Sequence, residues 1–159
     1  MAGNDTVALC RMQKITPRLE NPKQTREDAN ALAFMAEYAV ARVLQIEPPV
    51  VNVGSDFGID LWFDNVSIDV KLTNYPKGDL IFDSPDKFKA KVAVQVQPTD
   101  DPAVMSIEGW MSREEFITLA TERDFGHGVR LVVPNASLRP IEELWLELQS
   151  IRFAPVKLP

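Results

Sequence analysis

The spacing of apolar positions changes character several times along this chain, and each change marks an element. Between residues 29 and 46, Leu32, Met35, Ala36, Ala39 and Val43 recur at the interval that puts them on one face of a helix. The opposite side is also largely apolar (Ala33, Val40, Ala41, Leu44), so this helix is expected to be covered over most of its surface. Thr25 reads as its N-cap, Glu27 and Asp28 suit its first turn, and Pro48 and Pro49 are expected to end it.

Beyond the prolines the period shortens to two. Val50–Val53 reads as a short strand and residues 54–58 as a turn. The runs Ile59–Phe63 and Val66–Leu72 alternate on either side of Asp64-Asn65, a hairpin pattern. Further on, Leu80–Phe82, Val92–Gln97, Val104–Gly109 and Val129–Val133 read as extended. Ser84-Pro85 opens a short helix through Lys89. Ser112 with Glu115 forms a capping box for a helix to about Arg123. Pro140 to Gln149 is an amphipathic helix with Ile141, Leu144, Trp145 and Leu148 on one face. The pattern predicts one α/β domain over residues 1–159 with a mixed central sheet of about five or six strands and flanking helices. Residues 1–24 are expected to form an irregular arm, 25–97 the motif-bearing core, and 98–159 additional strands and helices.

Composition changes little in this picture. With 45% hydrophobic and 25% charged residues among 159, the chain has material for a real core. No apolar run is long enough to span a bilayer, and the N-terminus lacks a secretory pattern, so no membrane role and a cytoplasmic location are expected. Cys10, the single cysteine, has no partner for a disulfide. A net charge of −6 argues against coating nucleic acid by electrostatics alone. The charge is uneven, however: Arg11, Lys14, Arg18, Lys23 and Arg26 lie in or near the arm, and Lys87, Lys89 and Lys91 form a second basic run.

The candidate chemistry comes from the hairpin. In Val66–Leu72 the apolar side chains take one face, and Ser67, Asp69 and Lys71 the other. Closing the hairpin on Asp64-Asn65 pairs Trp62 with Ser67, Leu61 with Ile68 and Asp60 with Asp69. Two opposed carboxylates destabilise a sheet, whereas oxygen ligands on one face suit Mg²⁺, which keeps several waters and uses few protein carboxylates. A solvated outer face on which both carboxylates share Lys71 is the simpler alternative. Glu37 adds weight to the metal reading: it is the only charged residue of the helix between Asp28 and Arg42, and carboxylates among apolar neighbours are rare unless paired or ligating.

Glu37, Asp60 within Gly58-Ile59-Asp60-Leu61, and Ile68-Asp69-Val70-Lys71 together resemble the PD-(D/E)XK (restriction-endonuclease-like) phosphodiesterase superfamily. The resemblance spans residues 29–97 and implies a core of helix, three antiparallel strands, helix and strand. It implies that Asp60, Asp69 and the Val70 carbonyl are metal ligands, with Glu37 a further ligand or water contact. Lys71 would orient the attacking water or stabilise the phosphorane. The cofactor would be Mg²⁺ or Mn²⁺, and the products would carry a 5′-phosphate. Ile59 stands where the family name has Pro, and Asp69 where Glu is common. Many such proteins come from phages and mobile elements.

The implied partner is nucleic acid, DNA more than RNA, and a homodimer would suit cutting both strands of a duplex. Thr73, Lys77, Lys87, Lys89 and Lys91 are candidate backbone contacts, with a solvated surface as the plainer account of the lysines. Trp62 is either a stacking platform beside the site or a residue packed under a helix. His127, in Gly126-His127-Gly128, reads as an exposed loop residue, and Trp110 and Trp145 as core or helix-face anchors. A non-catalytic binding or interaction module that keeps the nuclease fold is the alternative from another class.

Overall fold

The computed structural model describes residues 26–49 and 58–152. The expected arm, the Thr25 cap and the strand Val50–Val53 lie outside the described residues.

The first helix, α1, runs over Arg26–Leu44. It stops before the two prolines. Gln45 adopts a left-handed backbone (φ 56°), and two reversed bonds close the end, from the Gln45 amide to the Arg42 carbonyl (3.3 Å) and from the Ile46 amide to the Ala41 carbonyl (3.0 Å). This paired closure satisfies carbonyls that a helix end leaves open. Met35, Ala36, Ala39, Val40, Ala41 and Leu44 are buried, so the helix is covered around much of its circumference, as its two apolar sides predict.

Four strands form the main sheet: β1 (Leu61–Phe63), β2 (Val66–Leu72), β4 (Val92–Pro98) and β5 (Met105–Ser112), in the order β1-β2-β4-β5. The hairpin closes in the expected register, Leu61 with Ile68, Trp62 with Ser67 and Phe63 with Val66. β2 and β4 are parallel, and β4 and β5 antiparallel. A bulge interrupts β4/β5, because Gln95 pairs with Gly109 and Val96 with Ile107, leaving Glu108 as the extra residue. Gly109 is required there: its φ is +150°, and a Cβ would come within 2.6 Å of the Arg139 carbonyl oxygen.

The prediction of one sheet of five or six strands is corrected. β3 (Leu80–Phe82), β7 (Val129–Val133) and β6 (Thr121–Asp124) form a separate antiparallel sheet, ordered β3-β7-β6. The cause lies in β4, where Val92, Ala93, Val94, Gln95 and Val96 are all buried. A strand hidden on both faces needs a layer on each side. The first core joins α1, Val66, Ile68, Val92, Val94 and Val96 to Ile141, Leu144 and Leu148 of the last helix, α3 (Ile141–Arg152). The second joins Ala93 and Met111, on the other side of the sheet, to Leu80, Phe82, Phe88, Phe116 and Val133. Phe82 and Phe88 stack at 4.3 Å, with Phe116 edge-on to both.

Two helix predictions are also shortened. The capping box at Ser112 and Glu115 is present, but α2 covers only Arg113–Leu119. Ala120 turns extended, and Thr121–Asp124 becomes an edge strand of exposed, mostly charged residues. Such an edge pairs with β7 yet discourages further pairing. Between β3 and β4 the expected helix through Lys89 is one 3₁₀ turn, Pro85–Lys87, and Ser84 makes no side-chain cap bond. The architecture is thus mixed α/β with two sheets. Among the described residues, β1 and β2 are antiparallel but the next strand of the sheet runs parallel to β2.

Candidate metal and phosphate site

β2 carries the central residues. By alternation Ser67, Asp69 and Lys71 stand on the face away from α1, and both Asp69 (1% exposed) and Ser67 (5%) are buried there. Lys71 stays half-buried, with its Nζ 2.8 Å from Asp69 Oδ1 and 5.0 Å from the centre of the Phe82 ring. One cation therefore serves a buried carboxylate and an aromatic face from the second sheet. The Lys91 amide donates to Ser67 Oγ (2.9 Å), which ties the start of β4 to the same face.

Asp60 approaches differently from the expectation. The ladder ends at Leu61, so Asp60 does not stand opposite Asp69 as a paired residue. Its amide donates to the Ile68 carbonyl (2.9 Å), and its Oδ2 accepts from the Val70 amide (2.6 Å). The side chain has taken the place of a backbone acceptor at the open edge of β2. Ile59 consequently leaves the face shared by Leu61 and Phe63 and packs on the second core. In a strand a residue's N–H and C=O leave on the same edge, so the Val70 carbonyl shares that edge with the Asp60 carboxylate.

Glu37 is half-buried on α1. That helix packs on the Val66/Ile68 face, whereas Asp69 and Lys71 occupy the other. Among the described residues no group of three or more His, Cys, Asp and Glu side chains is placed to hold a metal ion. The residues gathered around Val70 are Asp60, Asp69 and Lys71. Apart from the Lys71 ammonium, the polar groups there are oxygens, the Asp60 and Asp69 carboxylates and the Val70 carbonyl, a donor type that suits a hard divalent cation retaining waters.

The outer candidates divide. Lys87, Lys89 and Lys91 are exposed, and a Cβ on Gly58 would lie 3.9 Å from both the Lys87 carbonyl oxygen and Lys89 Cδ. The basic run therefore borders the segment leading into Asp60. Lys77 lies on the loop after β2. Thr73 is turned inward to local structure, its Oγ1 accepting from the Tyr75 amide (3.3 Å) and its amide donating to Val96 (2.9 Å). Trp62 is exposed rather than packed under a helix, and His127 is exposed as expected. Trp110 is a core anchor whose indole donates to the Pro140 carbonyl (3.0 Å).

Sequence reasoning passed over Gln95. It pairs in register with Lys71, is 1% exposed, and donates through Nε2 to the Gly78 carbonyl. Its signal was available: a glutamine inside Val92–Val96, an otherwise apolar run, needs a hydrogen-bonded role.

No helix of the described residues is long and apolar enough to cross a membrane. Compared with family models, curated proteins and solved structures, the chain matches none of them.

Proposed function

We propose that this protein is a divalent-metal-dependent phosphodiesterase of the PD-(D/E)XK type that hydrolyses nucleic acid, DNA in preference to RNA. The observation that carries the reading is the Asp69–Lys71 pair, an acidic-x-Lys unit on one buried polar face, with a second carboxylate, Asp60, hydrogen-bonded to the residue between them. Asp60, Asp69 and the Val70 carbonyl would hold Mg²⁺ or Mn²⁺, which when bound stabilises negative charge on phosphate oxygens and acidifies a bound water.

The chain's own residues have separate tasks. Asp69 holds the Lys71 ammonium in one position, so its charge is already aimed when a phosphodiester arrives. The Lys71 side chain retains 40% exposure and can meet that phosphate or the attacking water. Burial of Ser67, Asp69 and Gln95 keeps competing water from the inner side of the pair. The exposed lysines beside Gly58 add positive charge where a nucleic-acid backbone would enter.

The test is incubation of duplex, single-stranded and branched DNA and of RNA with Mn²⁺, comparing the protein with its Lys71→Ala variant. The reading expects products with 5′-phosphate ends that disappear without metal and fall about 100-fold or more in the variant. Equal cleavage by both proteins would remove Lys71 from the chemistry.

A second reading is favoured by the depth of Asp69 and by the absence of a three-carboxylate group among the described residues. On that reading the fold is a non-catalytic nucleic-acid-binding module, and it binds DNA equally with and without metal and yields no products.

A further inference from the structure

We infer that the substrate is a single strand, held by base stacking on two exposed aromatic side chains, Trp62 and Tyr75, on either side of Lys71. The inference rests on the phosphodiesterase reading and adds the form of nucleic acid that the site takes. Trp62 is 55% exposed and Tyr75 78%, and among the described residues they are the aromatic side chains that stand exposed with the other large apolar residues. Trp62 pairs with Ser67 and so faces the same way as Asp69 and Lys71. From Ser67 to Lys71 is four residues of strand, or about 13 Å. Tyr75 follows Lys71 by the same number of residues, on the loop that leaves the other end of β2.

That loop is held in place. The Lys77 amide donates to Gln97 Oε1 (2.9 Å), Gln95 donates to the Gly78 carbonyl, and the Gly78 amide donates to the Tyr75 carbonyl (2.9 Å). Gly78 permits the fold, since a Cβ there would lie 2.5 Å from Thr73 Oγ1 and 3.1 Å from the Tyr75 carbonyl oxygen. Lys77 sits in the left-handed region (φ 50°), a conformation that disfavours a lysine and persists only where its surroundings enforce it. Two buried or half-buried glutamines thus fix a loop whose most prominent groups are an exposed ring and an exposed ammonium. An aromatic ring on a fixed backbone stacks at the cost of ordering its own side chain and not the loop. Every base offers a π-face, but a paired duplex keeps its faces covered, so stacking selects unpaired strands.

The test is metal-free, with EDTA present, so that binding is read apart from cleavage. A fluorescein-labelled thymine-only DNA strand, and its duplex with the complementary strand, are titrated by anisotropy against the protein and the Trp62→Ala and Tyr75→Ala variants. The single strand is expected to bind more tightly than the duplex, and each substitution to weaken it by about five- to hundred-fold while leaving duplex binding unchanged. Unlabelled single strand should also quench tryptophan emission in the parent and not in Trp62→Ala, since Trp110 is buried, Trp145 is half-buried on α3 and Trp62 is exposed. Both substituted residues are exposed, and unchanged melting temperatures confirm folding. Equal affinity for duplex, no binding to either form, or variants that bind the single strand as well as the parent would overturn the inference. Metal-dependent cleavage of duplex that survives both substitutions would sink the stacking while leaving the phosphodiesterase reading in place. Stacking without cleavage would do the reverse.

Discussion

Ile68 and Asp69 are neighbours on β2, equally hidden from solvent, and point to opposite faces of the main sheet. Ile68 enters a core made with α1 and α3, where burial of apolar area is the whole explanation. Among the described residues Asp69 is one of three buried polar residues, with Ser67 and Gln95 on the same face. A carboxylate gains nothing from leaving water unless a cation or donors meet it. Lys71 meets it, yet keeps an exposed flank. Both sides of the main sheet carry an apolar core, but on β2 itself the side chains facing α1 build theirs, whereas Ser67 and Asp69 are polar groups buried beside the second core. Departures from the apolar rule with no gain in packing are where function is to be sought.

The contrast can be broken by substitution. The largest effect on stability is expected at Ile68→Ala, about 2–5 kcal/mol by urea denaturation, from lost transfer free energy and the cavity left behind. Cleavage per folded molecule should stay unchanged. If stability barely moved, the core between β2 and α1 would not carry the weight its burial implies. Gln95→Leu, on the polar face, should cost about 1–3 kcal/mol, because the Gly78 carbonyl loses its donor. Faster amide exchange at Gly78, whose turn would loosen, checks the cause. Away from both faces, Ser112→Ala removes one half of the capping box of α2 and should cost about 1 kcal/mol in a thermal melt. Smallest is Lys89→Ala, within about 0.5 kcal/mol on stability. Its signature should be electrostatic, a salt dependence of nucleic-acid binding shallower by about one unit of slope.

Much of this contrast is legible in the sequence, because alternation is a local property. The opposed faces of β2 follow from Val66, Ile68, Val70 and Leu72, the register of the hairpin from its closure on Asp64-Asn65, and α1 from its spacing. What escapes is long-range. Nothing in Leu80–Phe82 says that it pairs with Val129–Val133 rather than with an edge of the main sheet, because pairing partners are chosen by which faces remain uncovered. Thr121–Asp124 has no apolar alternation and is a strand only because β7 offers it a partner. At the site, the acidic-x-Lys unit could be read directly. The turn of Asp60 into the edge of β2, with Ile59 crossing to the second core, could not, since it depends on where β1 ends. Gln95 was visible as a misfit, but its partner, the Gly78 carbonyl, lies across a loop.

On the proposed function Asp69 is buried for chemistry and not for stability, and the Asp69→Asn variant tests this in one preparation. Its single-turnover cleavage of the preferred strand with Mn²⁺ is measured beside its urea midpoint. Cleavage is expected to fall about 100-fold or more, with a midpoint unchanged or raised, because a neutral amide of the same shape is cheaper to bury. Cleavage equal to the parent's, with a lowered midpoint, would contradict it and make the Asp69–Lys71 pair a structural ion pair.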